Sequence, residues 1–158
     1  MAENYKKRKG GIVKIMERTT SASIEVFGEN YKENGILEQT EMNILNYTAE
    51  ELKKDPNYKR EEIVIYLTVN RETIKNRIGK RNREEEEDID MTAIDKINKL
   101  YEKYIKKMEN GNETKVFRVN GEGTKEEVLK RCKDIIENEY MKKINKAMEN
   151  KGIITPEK

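Results

Sequence analysis

Ile63-Val-Ile-Tyr-Leu-Thr-Val69, then Asn70, then Arg71-Glu-Thr-Ile-Lys-Asn-Arg-Ile-Gly-Lys-Arg-Asn-Arg-Glu-Glu-Glu-Glu87, is the stretch that decides the fold. Its first part is a continuous, β-branched block, the pattern of a strand buried on both faces. Asn70 is a good N-cap. Ile74 and Ile78 then mark one face of a helix. A strand feeding directly into a helix is the beginning of a βαβ unit, and it predicts a parallel sheet.

Working outward, two further blocks read as strands: Gly11-Ile-Val-Lys-Ile-Met16 and the weaker Val116-Phe-Arg-Val119. Helical patterns fill the intervals. Ile24, Phe27 and Tyr31 mark one face of a helix that stops at Asn34-Gly35. Met42, Leu45, Ala49 and Leu52 mark a second. Ile94, Ile97, Tyr101, Tyr104 and Met108 recur at 3-4-3-4 spacing up to a stop at Gly111. The last helix opens with Thr124-Lys-Glu-Glu127, a capping-box pattern, and is expected to bury Val128, Leu129, Cys132, Ile135 and Ile136. The expectation is one α/β domain with three parallel strands, flanking helices and right-handed crossovers. Residues 1–10 read as a flexible basic leader, 11–137 as the domain, and 138–158 as a polar helical extension and tail.

Composition narrows the chemistry. In 158 residues, 34% are apolar and 41% charged, yet 33 basic side chains nearly cancel 31 acidic ones, for a net charge of +2. Nucleic-acid binding driven by a global field is therefore not expected. The chain has no histidine and one cysteine, Cys132, so neither a zinc site nor an intramolecular disulfide is expected. The cysteine usage fits a reducing, intracellular location, the cytoplasm, with a mitochondrial one left open. No apolar run is long enough to span a bilayer.

Local clusters carry more. Arg77, Lys80, Arg81 and Arg83 crowd the end of the helix after the strongest strand. Guanidinium forks suit phosphate oxygens, and an Arg-x-Arg run followed by acids could form a mobile lid over residues 79–90, closing on a polyphosphate. The alternative is a solvated helix end with Arg81 and Arg83 paired to the acids at 84–87. Glu17-Arg18 stands at the C-terminal end of a predicted parallel strand, the edge where ligands bind in open α/β sheets. Phe27 reads either as core or as a stacking platform. Gly121-Glu-Gly-Thr-Lys125 is read as a turn and helix cap. No Gly-x-x-x-x-Gly-Lys-[Ser/Thr] motif occurs in the sequence.

These segments share an order. Lys14-Ile-Met-Glu-Arg-Thr19 running on to Gln39 closely resembles the insect multisubstrate and mitochondrial thymidine kinase branch of the deoxynucleoside kinases, with Glu17-Arg18-Thr19 in place of the family's Glu-Arg-Ser. Ile65-Tyr-Leu, Glu72, Arg77-Ile78, Arg81-Asn-Arg83-x-Glu85-Glu86, Leu100-Tyr-Glu-Lys-Tyr104 and Val116 to Asn120 continue the likeness, over roughly residues 11–137. The resemblance implies a partial nucleoside-kinase fold and ATP-dependent phosphorylation of a deoxynucleoside 5′-hydroxyl, thymidine being one candidate, with Mg²⁺ accompanying ATP.

It also implies roles. Arg18, with Glu17, would hold the nucleoside and polarise its 5′ side. Phe27 would stack on the base, Ser23 would line the pocket, and Glu86 would receive the sugar 3′-hydroxyl. Arg77, Arg81 and Arg83 would neutralise phosphates, with Asn120 and Gly121 beside the adenine. Ile24 and Glu25 depart from the family, which has an arginine and commonly an aromatic there. The phosphate loop, the carboxylate base and a base-reading Gln all precede residue 11 in the family's order and have no match in residues 1–10. The family's sheet order is 2-3-1-4-5, so the three predicted strands would be 3, 4 and 5, without strand 1 between the first two. The chain alone is therefore expected to lack turnover. Its expected partners are a deoxynucleoside and ATP, and either a second copy or a separate N-terminal half. The competing expectation is a non-catalytic, kinase-like interaction or structural module.

Overall fold

In chain order, a computed structural model places helix α1 over Thr20–Ala22, Ser23–Gly28 and Glu29–Glu33 without interruption. Then come α2 (Gln39–Lys54), β1 (Ile63–Thr68), α3 (Arg71–Arg81), a 3₁₀ turn (Glu84–Glu86), α4 (Met91–Asn110), β2 (Lys115–Asn120) and α5 (Lys125–Asn150). The described residues are 15–55, 62–86, 89–111 and 114–150. The chain divides into two compact units interleaved in sequence, residues 1–62 with 88–114 and residues 63–87 with 115–158.

The first unit is helical. Thr19 caps α1, its Oγ1 accepting from the Ala22 N–H at 3.0 Å. The middle section of α1, Ser23–Gly28, is a π-helix, and the Glu29 N–H closes it on the Ile24 carbonyl. The wider turn changes which side chains face inward. Ala22, Ile24, Val26 and Gly28 are buried, while Tyr31 is exposed. The expected face of Ile24, Phe27 and Tyr31 presumed an α-helical period, so it is only partly correct. Helices α2 and α4 pack against this section and contribute Met42, Tyr104 and Ile105 to the core. Burying such a side chain is worth about 1.5–3 kcal/mol. Gly28 lets α2 approach, since a Cβ there would stand 3.1 Å from the Met42 sulfur. As expected, α1 ends at Asn34 and Gly35, the glycine at φ +69°. The Leu45 and Leu52 side chains, expected to be core, are exposed.

The second unit holds the sheet. β1 and β2 pair in parallel, from Ile63 opposite Lys115 to Thr68 opposite Asn120. They are the neighbours expected of strands 4 and 5. Of the third predicted strand, residues 11–14 lie outside the described residues, and Ile15 and Met16 have no regular structure. Residues 1–10, 87–88 and 151–158 also lie outside them. β1 was expected to be buried on both faces. Instead most of it is half-buried and Leu67 is 45% exposed, because among the described residues β1 has one strand neighbour.

Asn70 caps α3 as predicted, accepting from the Thr73 N–H at 2.8 Å. The expected capping box opens α5: the Glu127 carboxylate accepts from the Thr124 N–H, and the Thr124 hydroxyl from the Glu127 N–H. Along α5, Val128, Cys132, Ile135 and Ile136 are half-buried rather than core, and Leu129 is 62% exposed. The helix instead buries a charge. Glu139 is 5% exposed and sits between the ammonium groups of Lys115 and Lys142, each at 2.7 Å. Among the described residues no helix is long and apolar enough to cross a membrane.

Candidate functional site

In the first unit the chemistry-bearing residues gather where the irregular segment before α1 meets α4. Arg18 donates to the Glu17 carboxylate at 2.9 Å and lays its guanidinium 4.8 Å from the centre of the Phe27 ring. Tyr101 meets the same ring edge-on, with centroids 5.9 Å apart at 85°. The π section projects Phe27 toward Arg18 and Tyr101 while its neighbours Val26 and Gly28 turn into the core. Phe27 is half-buried, so the expectation of a core side chain is only partly met.

One helical turn further along α4, the Tyr104 hydroxyl lies 3.2 Å from Thr19 Oγ1. Thr19 thus caps α1 and ties it to α4 with one oxygen. Burial pushes the Tyr104 hydroxyl above the usual phenol range, and the Thr19 contact opposes it. Burial likewise raises Tyr101, with the Arg18 charge acting the other way. Ser23 is exposed and donates to the Thr19 carbonyl at 3.3 Å. The departures Ile24 and Glu25 are now legible. Ile24 is core, and Glu25 pairs with Lys107 on α4 at 2.6 Å.

In the second unit a basic cluster stands at the end of α3. Asn82, at φ +47°, reverses the chain there, and the 3₁₀ turn brings Glu86 back to the helix end. Arg81 approaches Glu86 at 3.1 Å and Arg83 approaches it at 3.8 Å. Glu86 Oε2 is buried and, despite the Arg81 charge beside it, accepts no well-aligned hydrogen bond. The two arginines themselves remain largely exposed. The pairing of Arg81 and Arg83 with the acids that follow is therefore present, converging on one carboxylate.

Arg77 does something else. Its Nη2 donates to the carbonyls of Gly121 and Gly123 at 2.8 and 3.2 Å. These belong to the β2–α5 loop, where Gly121 is buried and its N–H donates to the Thr68 carbonyl. Asn120 Oδ1 accepts from the Glu122 N–H, so its amide oxygen closes the turn. Glu122 reaches the start of α3, accepting from the Asn70 N–H and the Thr73 hydroxyl, both at 2.7 Å. Chiefly the Thr73 hydroxyl, then Asn70, and more weakly the Arg77 charge, hold the Glu122 carboxyl below the usual range. No group of three acidic, cysteine or histidine side chains among the described residues could hold a metal ion.

Residues 1–149 match the family model described as deoxynucleoside kinase. The chain belongs to the deoxynucleoside kinase family. It is 25% identical to human thymidine kinase 2, mitochondrial, over 105 residues, which cover 66% of this chain and 39% of that protein. Its fold is similar to the structure of deoxyadenosine kinase from M. mycoides with bound dCTP, at a TM-score of 0.55 and 25% identity, over 77% of this chain and 62% of that one. The chain thus spans less than two thirds of each relative, 39% of the first and 62% of the second. The family match also reaches beyond residues 11–137 at both ends.

Within this deoxynucleoside kinase fold, Glu17, Arg18 and Phe27 stand together in the first unit, with Ser23 on the same helix. Arg81, Arg83 and Glu86 form one cluster in the second, and Arg77, Asn120 and Gly121 another. Three residues were missed as parts of these clusters. Tyr101 has the spacing of a core position, which gives no sign that it meets Phe27. Glu122, on the Asn70 N–H and the Thr73 hydroxyl, and Arg131, whose Nη1 donates to the carbonyls of Asn120 and Glu122, carry no signal in the sequence, because their partners are distant or lie on the backbone.

Proposed function

We propose that this chain carries the nucleoside-holding and phosphate-neutralising parts of an ATP-dependent deoxynucleoside kinase. The observation that carries the reading is the family match over residues 1–149, and the resemblance assigns Arg18, Phe27, Arg81, Arg83 and Glu86 to its functional positions. In this reading Glu17 and Arg18 hold the nucleoside and its 5′ end, Phe27 stacks on the base, and Ser23 lines the pocket. Arg81 and Arg83 leave Glu86 to neutralise the transferring phosphoryl group, as such electrostatically driven transfers require. Glu86, once released, accepts from the 3′-hydroxyl. Asn120 and Gly121 border the adenine, with Arg77 on their carbonyls. Mg²⁺ arrives with ATP as part of the substrate. The 5′-oxygen bonds to the γ-phosphorus as the bond to the β–γ bridging oxygen breaks. The hydroxyl proton leaves to a carboxylate that the family places ahead of residue 11.

Residues 1–158 contain no phosphate-loop motif. Turnover in this reading therefore uses a phosphate-loop segment that these residues do not include, whether joined to them or separate. A second reading, a non-catalytic module with the same fold, is favoured by Ile24 being core where the family has an arginine. The test is ATP-dependent phosphorylation of the four natural deoxynucleosides by the purified chain, with and without a co-expressed phosphate-loop half, and with Arg81→Ala as control. Turnover abolished by the substitution supports the kinase reading. No turnover in either format, with no stabilisation by ATP or thymidine, supports the non-catalytic module.

A further inference from the structure

Four consecutive carbonyls of the β2–α5 loop are gripped alternately by two arginines. Arg131 Nη1 donates to the carbonyls of Asn120 and Glu122, at 2.6 and 2.8 Å. Arg77 Nη2 donates to those of Gly121 and Gly123, at 2.8 and 3.2 Å. Each nitrogen carries two protons, one for each carbonyl. The amides are also engaged: Gly121 N–H on the Thr68 carbonyl, Glu122 N–H on Asn120 Oδ1, and Thr124 N–H on the Glu127 carboxylate. The Glu122 side chain fastens the loop to the first turn of α3. A loop carrying Gly121 and Gly123 would otherwise sample many conformations. Here two charge-assisted forks select one.

We propose that Arg131, acting with Arg77, is a positioning residue that holds residues 120–123 in the shape that receives the purine ring of the nucleotide. Arg131 touches no substrate; it acts through the backbone it grips. Arg77 is thereby occupied on the loop and is not a phosphate ligand in this state, which leaves phosphate neutralisation to Arg81 and Arg83. The inference rests on the nucleotide reading above and deepens it, by assigning the purine-dependent part of affinity to a residue outside the phosphate cluster.

The decisive readout separates the purine from the phosphates. Affinities of the full chain for ATP and for inorganic tripolyphosphate are measured by calorimetry, for the wild type and for Arg131→Gln. The expected result is a loss of about tenfold in ATP affinity, equivalent to about 1.4 kcal/mol, with tripolyphosphate affinity unchanged within about twofold. That size is what losing charge-assisted hydrogen bonds to the loop warrants. Arg131→Lys keeps the charge without the planar fork and is expected to recover little of the loss. It also carries the same comparison if Arg131→Gln fails to fold by circular dichroism. Equal losses for both ligands, or none, overturn the positioning role while leaving the nucleotide reading intact. A wild-type chain that binds tripolyphosphate as tightly as ATP, or binds neither, overturns the nucleotide reading and the inference with it.

Discussion

Replacing Gly121 with alanine adds one methyl group at the point where β2 passes into its loop. That methyl would stand 2.7 Å from Val69 Cγ2 and 3.2 Å from the Thr68 carbonyl oxygen. Neither neighbour yields easily. The valine is stiff at χ1, and the carbonyl accepts from the Gly121 N–H at 2.8 Å. Gly121 is outside the left-handed region, so the cost comes from its neighbours and not from its own backbone. Overpacking of this kind costs about 1–3 kcal/mol, and a chain of this size loses about 2–4 °C of Tm per kcal/mol. A destabilisation of about 2 kcal/mol thus predicts a fall of about 4–8 °C. Gly79→Ala is the matched control. Gly79 lies within α3 with nothing within 4 Å of a built Cβ, so helix propensity alone predicts a gain of about 0.5–1 kcal/mol. Thermal and urea unfolding of the two variants by circular dichroism should move in opposite directions. A Gly121→Ala variant as stable as wild type would refute the close approach of the loop to the β1 end.

Three further outcomes follow from the geometry. Glu139, between Lys115 and Lys142, has its carboxyl lowered from 4.5 to about 2. A depressed folded value means that its contribution to stability is full above the unfolded value and is lost as pH falls through about 2. Glu139→Gln should therefore flatten the acid limb of stability below about pH 4.5, and an unchanged limb in acid titrations followed by circular dichroism would remove the clamp. Glu86→Gln should free Arg81 and Arg83 and tighten tripolyphosphate binding about two- to fivefold, the range expected of a partly exposed ion pair; weaker binding by calorimetry would contradict the convergence on Glu86. Tyr104→Phe should cost about 1 kcal/mol in urea unfolding through the lost contact with Thr19, and a neutral effect would show that the hydroxyl is dispensable.

Local chemistry is legible in the sequence. The Asn70 cap, the Thr124–Glu127 box, the Asn34-Gly35 stop, the two described strands and the helix before Gly111 all lie where the pattern places them, since each signal is contained within a few consecutive residues. The family, too, was legible, because Glu17-Arg18-Thr19 and the Arg81-x-Arg83 run keep their order and separation. The phase of α1 was not. A π section begins and ends within Ser23–Gly28, and nothing in Ser-Ile-Glu-Val-Phe-Gly distinguishes it from an α-helical turn, so Val26 emerged as core and Tyr31 did not.

By itself, then, the amino-acid order determined the described helices and the two described strands, where they start and stop, and the family to which the chain belongs. Tertiary structure alone decided what those residues do to one another. Arg18 covers Phe27, Arg81 and Arg83 converge on Glu86, and Arg77 and Arg131 share a loop between them. The reason is physical. A cap or an apolar period is satisfied by near neighbours along the chain, and so it is written locally. A guanidinium has a long stem and several donors, and can serve a carboxylate, a ring face or a carbonyl equally well. Only the folded backbone determines which of these lies within its reach.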